Sequence, residues 1–226
     1  MWCVPKIDTE YIARMEDVLE VLERPYDRRE PVVALDERPV VLHSDARPGV
    51  DMRPGQPQRR DYEYVRHGTA NVFCIVEPKA GRHLTHATRN RTGLAFAQAM
   101  RRIACAYAIA TTIHIIFDNL NTHLEASLVK AFGPVRGAKL WSRFTVHYTP
   151  KHASWLDPAE IEASAMSRQC LGKDRIPDFE SLDERVTAWT KRQHDERRTI
   201  NWTYTRKDAR RAFRYRLRVN KSRSLH

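Results

Sequence analysis

The stretch TIHIIFDNLNTH, residues 112–123, is apolar and β-branched as far as Phe117, then turns abruptly to Asp118 and a polar run. Ile113, Ile115, Ile116 and Phe117 read as a buried strand, because β-branched and aromatic side chains suit the pleated interior of a sheet. A carboxylate closing such a strand is costly to bury without a partner. In open α/β sheets, groups at the carboxyl ends of neighbouring strands meet in one crevice. Asp118 therefore directs attention to other acids at element ends.

Working outward, DTEYIARMEDVLEVLERPYD begins with Asp8 as an N-cap and carries Ile12, Met15, Val18, Leu19 and Leu22 at helical spacing, stopping before Pro25. EPVVALDERPVVLHSD reads as one strand ending on Asp36 and a second beginning near Val40. Residues 46–60, with three prolines, two glycines and four arginines, read as an exposed loop. GTANVFCIVEPKAGRHLTHATR is a hairpin turning around Pro78-Lys79-Ala80-Gly81. A helix capped by Thr92 follows, then the strand 113–117, a helix ending at Gly133-Pro134, a strand in FTVHYTP and a last helix in WLDPAEIEASAMSRQCL. After about Arg206 apolar periodicity fades, and the tail reads as loosely structured. Antiparallel strands followed by alternating strands and helices predict an α/β fold, a mixed sheet with helices packed against it.

At 226 residues and 42% hydrophobic, the chain can bury one sizeable core. Cys3, Cys74, Cys105 and Cys170 form no C-x-x-C pair, which argues against a zinc knuckle or disulfide framework and suits a reducing, cytoplasmic setting. The longest uncharged stretch, Ile103 to Phe117, has 15 residues, short of a bilayer span, and no export signal opens the chain, so a soluble protein with no membrane partner is expected. The net charge of +11 is unevenly placed: from Arg168 to His226 there are 17 Lys and Arg against 8 Asp and Glu. Such a basic zone points to a polyanion, nucleic acid above all, although a solvated tail gives the same count.

Three acids stand at element ends. Asp36 follows Val32, Val33 and Leu35; Asp118 closes the later strand; SWLDPAEIE offers Asp157, Glu160 and Glu162. Close carboxylates repel unless a cation sits between them, and hard oxygen donors without cysteine suit Mg²⁺ or Mn²⁺. Residues two apart on a helix face nearly opposite ways, so at most one of Glu160 and Glu162 can join the site, and spacing does not choose between them. Each acid also has an ordinary reading. Asp157-Pro158-Ala159-Glu160 is a good helix start, Asp36 can open a turn and Asp118 can cap a helix. His83 and His86 fall on opposite faces of a strand, which excludes them as a metal pair, and His147, inside an alternating strand, reads as structural.

With these residues in place, the chain resembles transposases of the bacterial insertion-sequence branch of the Tc/mariner superfamily. VVALDERP around Asp36, DYEYVRHGTANVFCIVEP in the hairpin, FDNLNTH at Asp118 and HYTPKHASWLDPAEIEASAMSRQCL around Glu160 occur in the family's order, over about residues 1–210. The resemblance implies a ribonuclease-H-like mixed five-stranded sheet flanked by helices, with an N-terminal helix in 1–30, a DDE catalytic domain over 31–190 and a basic C-terminal extension over 191–226. It implies the catalytic, metal-holding triad Asp36, Asp118 and Glu160, choosing Glu160 over Glu162, with Asp118 and Glu160 42 positions apart. Two Mg²⁺ ions, or Mn²⁺ in their place, would activate water and then a DNA 3′-hydroxyl for attack on a phosphodiester, without a covalent protein nucleophile. Double-stranded DNA, as transposon ends and target, is the implied partner, with a homodimer on DNA and a nucleoid-associated location in the bacterial cytoplasm.

Asn119, Asn121 and His123 follow Asp118 closely enough to orient it or contact DNA, or to serve as turn and cap residues. Lys151, His152 and Arg168 are the remaining candidate DNA contacts. The chain departs from the family in three places: it begins at Met1-Trp2-Cys3-Val4-Pro5 without the usual N-terminal helix-turn-helix, it has Asp157 where Asn is usual, and its terminus RAFRYRLRVNKSRSLH is basic and atypical. These departures suggest a truncated copy. They keep a second reading open, a non-catalytic DNA-binding remnant that inhibits a full-length transposase, and beside it an unselected relic.

Overall fold

The computed structural model describes residues 7–50, 52–57, 59 and 61–215. Helix α1 (Thr9–Glu23) starts where the Asp8 carboxylate accepts from Tyr11 N at 2.9 Å, as its capping position predicts. It leads into β1 (Val32–Asp45), which pairs antiparallel with β2 (Tyr64–Glu77) from Ala34–Val76 to Asp45–Tyr64. The hairpin turn at 78–81 returns the chain through β3 (Arg82–His83) and β4 (His86–Thr88), both on β2. Helix α2 (Gly93–Ala106), capped by Thr92, precedes β5 (Ile113–Phe117). Helices α3 (Glu125–Phe132) and α4 (Pro134–Trp141), strand β6 (Phe144–Tyr148), and helices α5 (Pro158–Met166), α6 (Phe179–Asp195) and α7 (Arg206–Phe213) complete the fold.

The sheet order is β3-β2-β1-β5-β6, with β4 also on β2. Strands β1, β5 and β6 run parallel, while β2 and its partners run antiparallel. Phe96, Met100 and Ile103 of α2 cover one face, against Val33, Leu35, Phe73, Ile75, Ile115 and Phe117. On the other face Met15, Val18, Leu19 and Leu22 of α1 pack on Ala34, Val76 and Ile116. Farther along that face, Ala163 and Met166 of α5 with Leu182, Val186 and Trp189 of α6 cover Val40, Val72 and Cys74.

Four features differ from the sequence reading. Strand β1 does not stop at Asp36: it runs unbroken for 14 residues, with Asp36 opposite Cys74 and Glu37 opposite Phe73. The two acids point to opposite faces, and the long β2 ladder overrides the local turn signal. The sheet has six strands rather than five, because the return of the hairpin is split at Leu84-Thr85, where the Thr85 hydroxyl accepts from Ile75 N at 3.0 Å in place of a ladder carbonyl. Third, two helices are absent from the sequence reading, α4 past Gly133 and α6 past α5.

The fourth difference is α7, which occupies part of the expected loose tail. It is held by a Thr205–Asp208 capping box and lies on α1, where Arg206 pairs with Glu23 at 2.9 Å and Arg210 with Glu16 at 2.6 Å. These arginines are therefore spent inside the protein; the basic residues from 216 onward lie outside the described ones. Among the described residues no helix is long and apolar enough to cross a membrane, and Cys74, Cys105 and Cys170 are free thiols; Cys3 lies outside them.

Helices α3 and α4 cross at Gly137, where an added Cβ would stand 2.6 Å from backbone atoms of Val129. Alanine improves helix propensity by up to about 1 kcal/mol, whereas forcing backbone apart costs about 1–3 kcal/mol. Gly137→Ala is therefore expected to lower the thermal midpoint, and a rise would show that the two helices separate freely.

Candidate active site

Strands β1 and β5 are in parallel register, Val32 with His114, Val33 with Ile115 and Ala34 with Ile116. Carried two residues further, that register sets Asp36 level with Asp118, on strands about 4.8 Å apart. Asp118 follows the last residue of β5 and Asp36 lies on the face that α1 and α5 cover. The third acid arrives on α5. Asp157 caps this helix, its Oδ1 accepting from Ala159 N at 2.8 Å, and Pro158 opens it. Glu160 in the first turn is exposed, and Ala159 and Ala163 hold the helix against the sheet.

The charges interact. Burial pushes the Asp36 carboxyl up to about 6, and the negative charges of Glu160 and Asp118 push the same way, against a hydrogen bond from Glu37 N. Glu160 and Asp118 thus both act on Asp36 across the gap between β1, the end of β5 and the start of α5. They do not close into a coordination shell by themselves: among the described residues, no three His, Cys, Asp or Glu side chains stand close enough together to hold a metal ion. Like charges at such separations repel.

The donor set nevertheless fits a hard divalent cation. All three acids present only oxygen, and Asp118 Oδ1 is buried without an aligned hydrogen bond. Its close neighbour is His123, whose Nδ1 lies 2.9 Å away in an ion-pair contact while bonding the Asp118 carbonyl at 3.2 Å. His123 Nε2 reaches Glu37 Oε1 at 3.3 Å. Burial alone would depress this imidazole, but Asp118 and Glu37 outweigh it and raise it to about 9, so at neutral pH it is a cation between two carboxylates. The ring stacks on Phe96 at 4.6 Å and is fully buried.

His123 is therefore not at the surface, which corrects its place among the DNA contacts: its position is that of a residue orienting Asp118. Asn119, Asn121, Lys151 and His152 are exposed around the carboxylates' edge of the sheet, His152 with φ at 60°. Arg168 is exposed beyond α5, where it donates to the Ser164 hydroxyl.

Two partners escaped the sequence reading. Glu37 looked like part of a strand break, yet its side chain serves His123. Glu162 is buried, with Oε1 2.9 Å from His83 Nδ1 and accepting from Thr85 Oγ1 at 2.9 Å; His83 Nε2 reaches the Arg198 carbonyl at 2.9 Å. Glu162 thus points into the hairpin, and Glu160, about 200° around the helix, points away from it. His86 lies on the opposite side, stacked on Phe73. His147 is buried between His114 Nδ1 at 2.9 Å and Asp17 Oδ2 at 2.8 Å, a network away from the acids.

Residues 31–183 match the model of the DDE superfamily endonuclease family, and the chain belongs to that family. Among solved structures it is similar to the Mos1 mariner paired-end complex with Mn, at 15% identity and TM-score 0.56 over 88% of this chain and 60% of that one. A pre-cleavage Mos1 transpososome matches at 15% identity and TM-score 0.57, over 88% of this chain and 60% of that one. The Mos1 strand transfer complex matches at 16% and 0.55, over 87% and 58%. The shared architecture is the ribonuclease-H-like fold, and the chain spans about 60% of the length of the solved chains it resembles. No curated protein matches its sequence.

Asp36 binds its proton more tightly folded, at about 6, than unfolded, near 3.8. Its contribution to stability is whole below about pH 4 and lost as pH rises through 6. Asp36→Asn should therefore stabilise the metal-free chain by about 2–3 kcal/mol at pH 8 and hardly at all at pH 4, measured by urea unfolding; equal effects at both pH values would remove the carboxylate strain. Burial, with Asp36 adding to it, pushes the Asp157 carboxyl well above the usual range and favours its neutral acid. Asp157→Asn should leave stability within about 0.5 kcal/mol, while Asp157→Ala should cost about 1–2 kcal/mol through the lost cap.

Proposed function

We propose that this chain is the catalytic domain of a DNA transposase of the insertion-sequence branch of the Tc/mariner superfamily, cutting and joining DNA by metal-dependent phosphoryl transfer. The observation that carries the reading is the level placement of Asp36 and Asp118 on adjacent parallel strands with Glu160 acting on Asp36 from the first turn of α5. DNLNTH and HYTPKHASWL, the motifs behind the resemblance, lie at this edge of the sheet. The similar solved structures are transposase complexes with Mn and, in another case, Mg or a transposon end, which supports both divalent metal and DNA as partners.

Asp36, Asp118 and Glu160 would hold Mg²⁺ or Mn²⁺, which supplies charge stabilisation at the phosphate and lowers the cost of forming a hydroxide or alkoxide nucleophile. His123, fixed by Glu37 and by the Phe96 ring, keeps the Asp118 carboxylate facing the crevice. Asp157, as cap, fixes the start of α5 and with it Glu160. Lys151, His152, Asn119, Asn121 and Arg168 bind the DNA backbone around the site, where phosphate contacts position the strand without reading sequence. The nucleophile is water for cutting and a DNA 3′-hydroxyl for joining, and two ends call for two copies of the chain on DNA. The residues 31–190 carry the chemistry; 1–30 and 191–226 brace it through the α1–α7 contact and extend it with basic charge.

Purified protein should nick supercoiled plasmid with Mg²⁺ or Mn²⁺, and both Asp118→Ala and Glu160→Ala should abolish nicking while leaving DNA binding in place. Equal silence of all three proteins, with DNA still bound, would replace this reading with the non-catalytic, inhibitory one.

A further inference from the structure

A cleft of about 510 Å³ opens at the opposite edge of the sheet from the three acids, and the reading of the catalytic site gives it no role. Its walls are the hairpin turn after β2, the C-terminal end of α2, the segment before β1 and the turn after α6. Arg28, Arg82, Arg197, Tyr26, Tyr107 and Glu77 line it. Glu77 lies three residues along β2 from Cys74, the partner of Asp36, or about 10 Å at about 3.3 Å per residue.

The cleft is built rather than incidental. Glu77 is only 3% exposed and accepts from the Tyr107 hydroxyl at 2.9 Å. The Arg82 guanidinium lies over the Tyr107 ring, 4.5 Å from its centroid. Tyr107 is fixed from behind, its carbonyl accepting from Arg143 at 2.9 Å. Gly81, with φ at +61°, lets the hairpin turn meet the Arg197 backbone so closely that an added Cβ would stand 2.4 Å from the Arg197 carbonyl carbon. Ile200 N bonds the Pro78 carbonyl at 2.9 Å beside it. Turn, helix end and C-terminal segment are therefore held in one arrangement.

The charge of this arrangement is unbalanced. Three guanidiniums face one carboxylate, and among the described residues neither Arg28 nor Arg197 has an ion-pair partner. Guanidinium groups match phosphate oxygens in geometry and charge, and they stack with planar bases. The exposed Tyr26 ring supplies further flat apolar surface, and a buried carboxylate accepts from an amino or hydroxyl group. A cavity of this size suits a small ligand bearing all three features.

We infer that the cleft binds a nucleotide, its phosphate held by Arg28, Arg82 and Arg197, its base against the Tyr26 ring, and Glu77 accepting from a base amino or sugar hydroxyl group. The nucleotide can be free or part of a DNA strand that continues past the carboxylates, and the two sources share this chemistry.

Isothermal titration of the full chain with dAMP, adenosine and a single-stranded oligonucleotide tests the inference, using wild type, the Arg28→Ala/Arg197→Ala double variant and Glu77→Gln. Both arginines are exposed, so the double variant should fold normally. Expected are one dAMP site per chain, adenosine bound at least about tenfold more weakly, and dAMP weakened about tenfold or more in the double variant. Oligonucleotide affinity falling in parallel assigns the site to a DNA strand; unchanged oligonucleotide affinity assigns it to a free nucleotide. Absence of saturable dAMP binding, adenosine as tight as dAMP, or a double variant that binds like wild type would overturn the inference. Asp118→Ala should bind dAMP as wild type does, so the result stands apart from the fate of the transposase reading.

Discussion

The structure depends on one register. Because β1 and β5 run parallel with Ala34 beside Ile116, Asp36 and Asp118 stand side by side two residues later, at the point where β5 ends and β1 continues along β2. A shift of one residue would turn Asp36 toward the α2 face and bring Glu37 out of it. The apolar residues on either side resist such a shift, since Val33 and Leu35 are buried on one face and Ala34 on the other. The carboxylate pair is thus held together by hydrophobic packing that itself has nothing to do with charge.

The same logic governs the third acid. Helix α5 is short, and its rotation is fixed at two points: the Asp157 cap at its start and the buried His83–Glu162–Thr85 cluster at its middle. A buried ionisable pair with its remaining atoms bonded is poor as a source of net stability but effective at selecting one arrangement over others. Here it selects the helix phase that sends Glu162 inward and Glu160 toward Asp36. On the far side His123 and Glu37 do for Asp118 what this cluster does for Glu160. Asp118 and, through Glu162 of the same helix, Glu160 thus each rest on a polar contact beneath the surface.

Much of this was legible in the amino-acid sequence, and the failures have physical causes. Asp118 announced itself because a β-branched run ended on it, and Asp8, Thr92 and Asp157 cap the helices that their positions imply. Helix phase alone left Glu160 and Glu162 equivalent, because the partners of Glu162 come from His83 and Thr85, some 80 residues earlier. Asp36-Glu37 read as a break, since nothing local reveals that a 14-residue partner strand and a distant imidazole receive the two side chains. His123 read equally as an orienting residue or a DNA contact for the same reason. Helix α6 had a usable signal in Phe179, Leu182, Val186 and Trp189 after Asp178, diluted by charged neighbours, whereas α7 docks on α1 through Ala209, Phe213 and two ion pairs with residues about 190 positions earlier.

If the three acids from β1, the end of β5 and the start of α5 form one metal site, anomalous diffraction from crystals soaked in Mn²⁺ will show manganese peaks within coordination distance of Asp36, Asp118 and Glu160 oxygens together. Manganese bound elsewhere, or at Asp118 with Glu160 turned away into solvent, would contradict it.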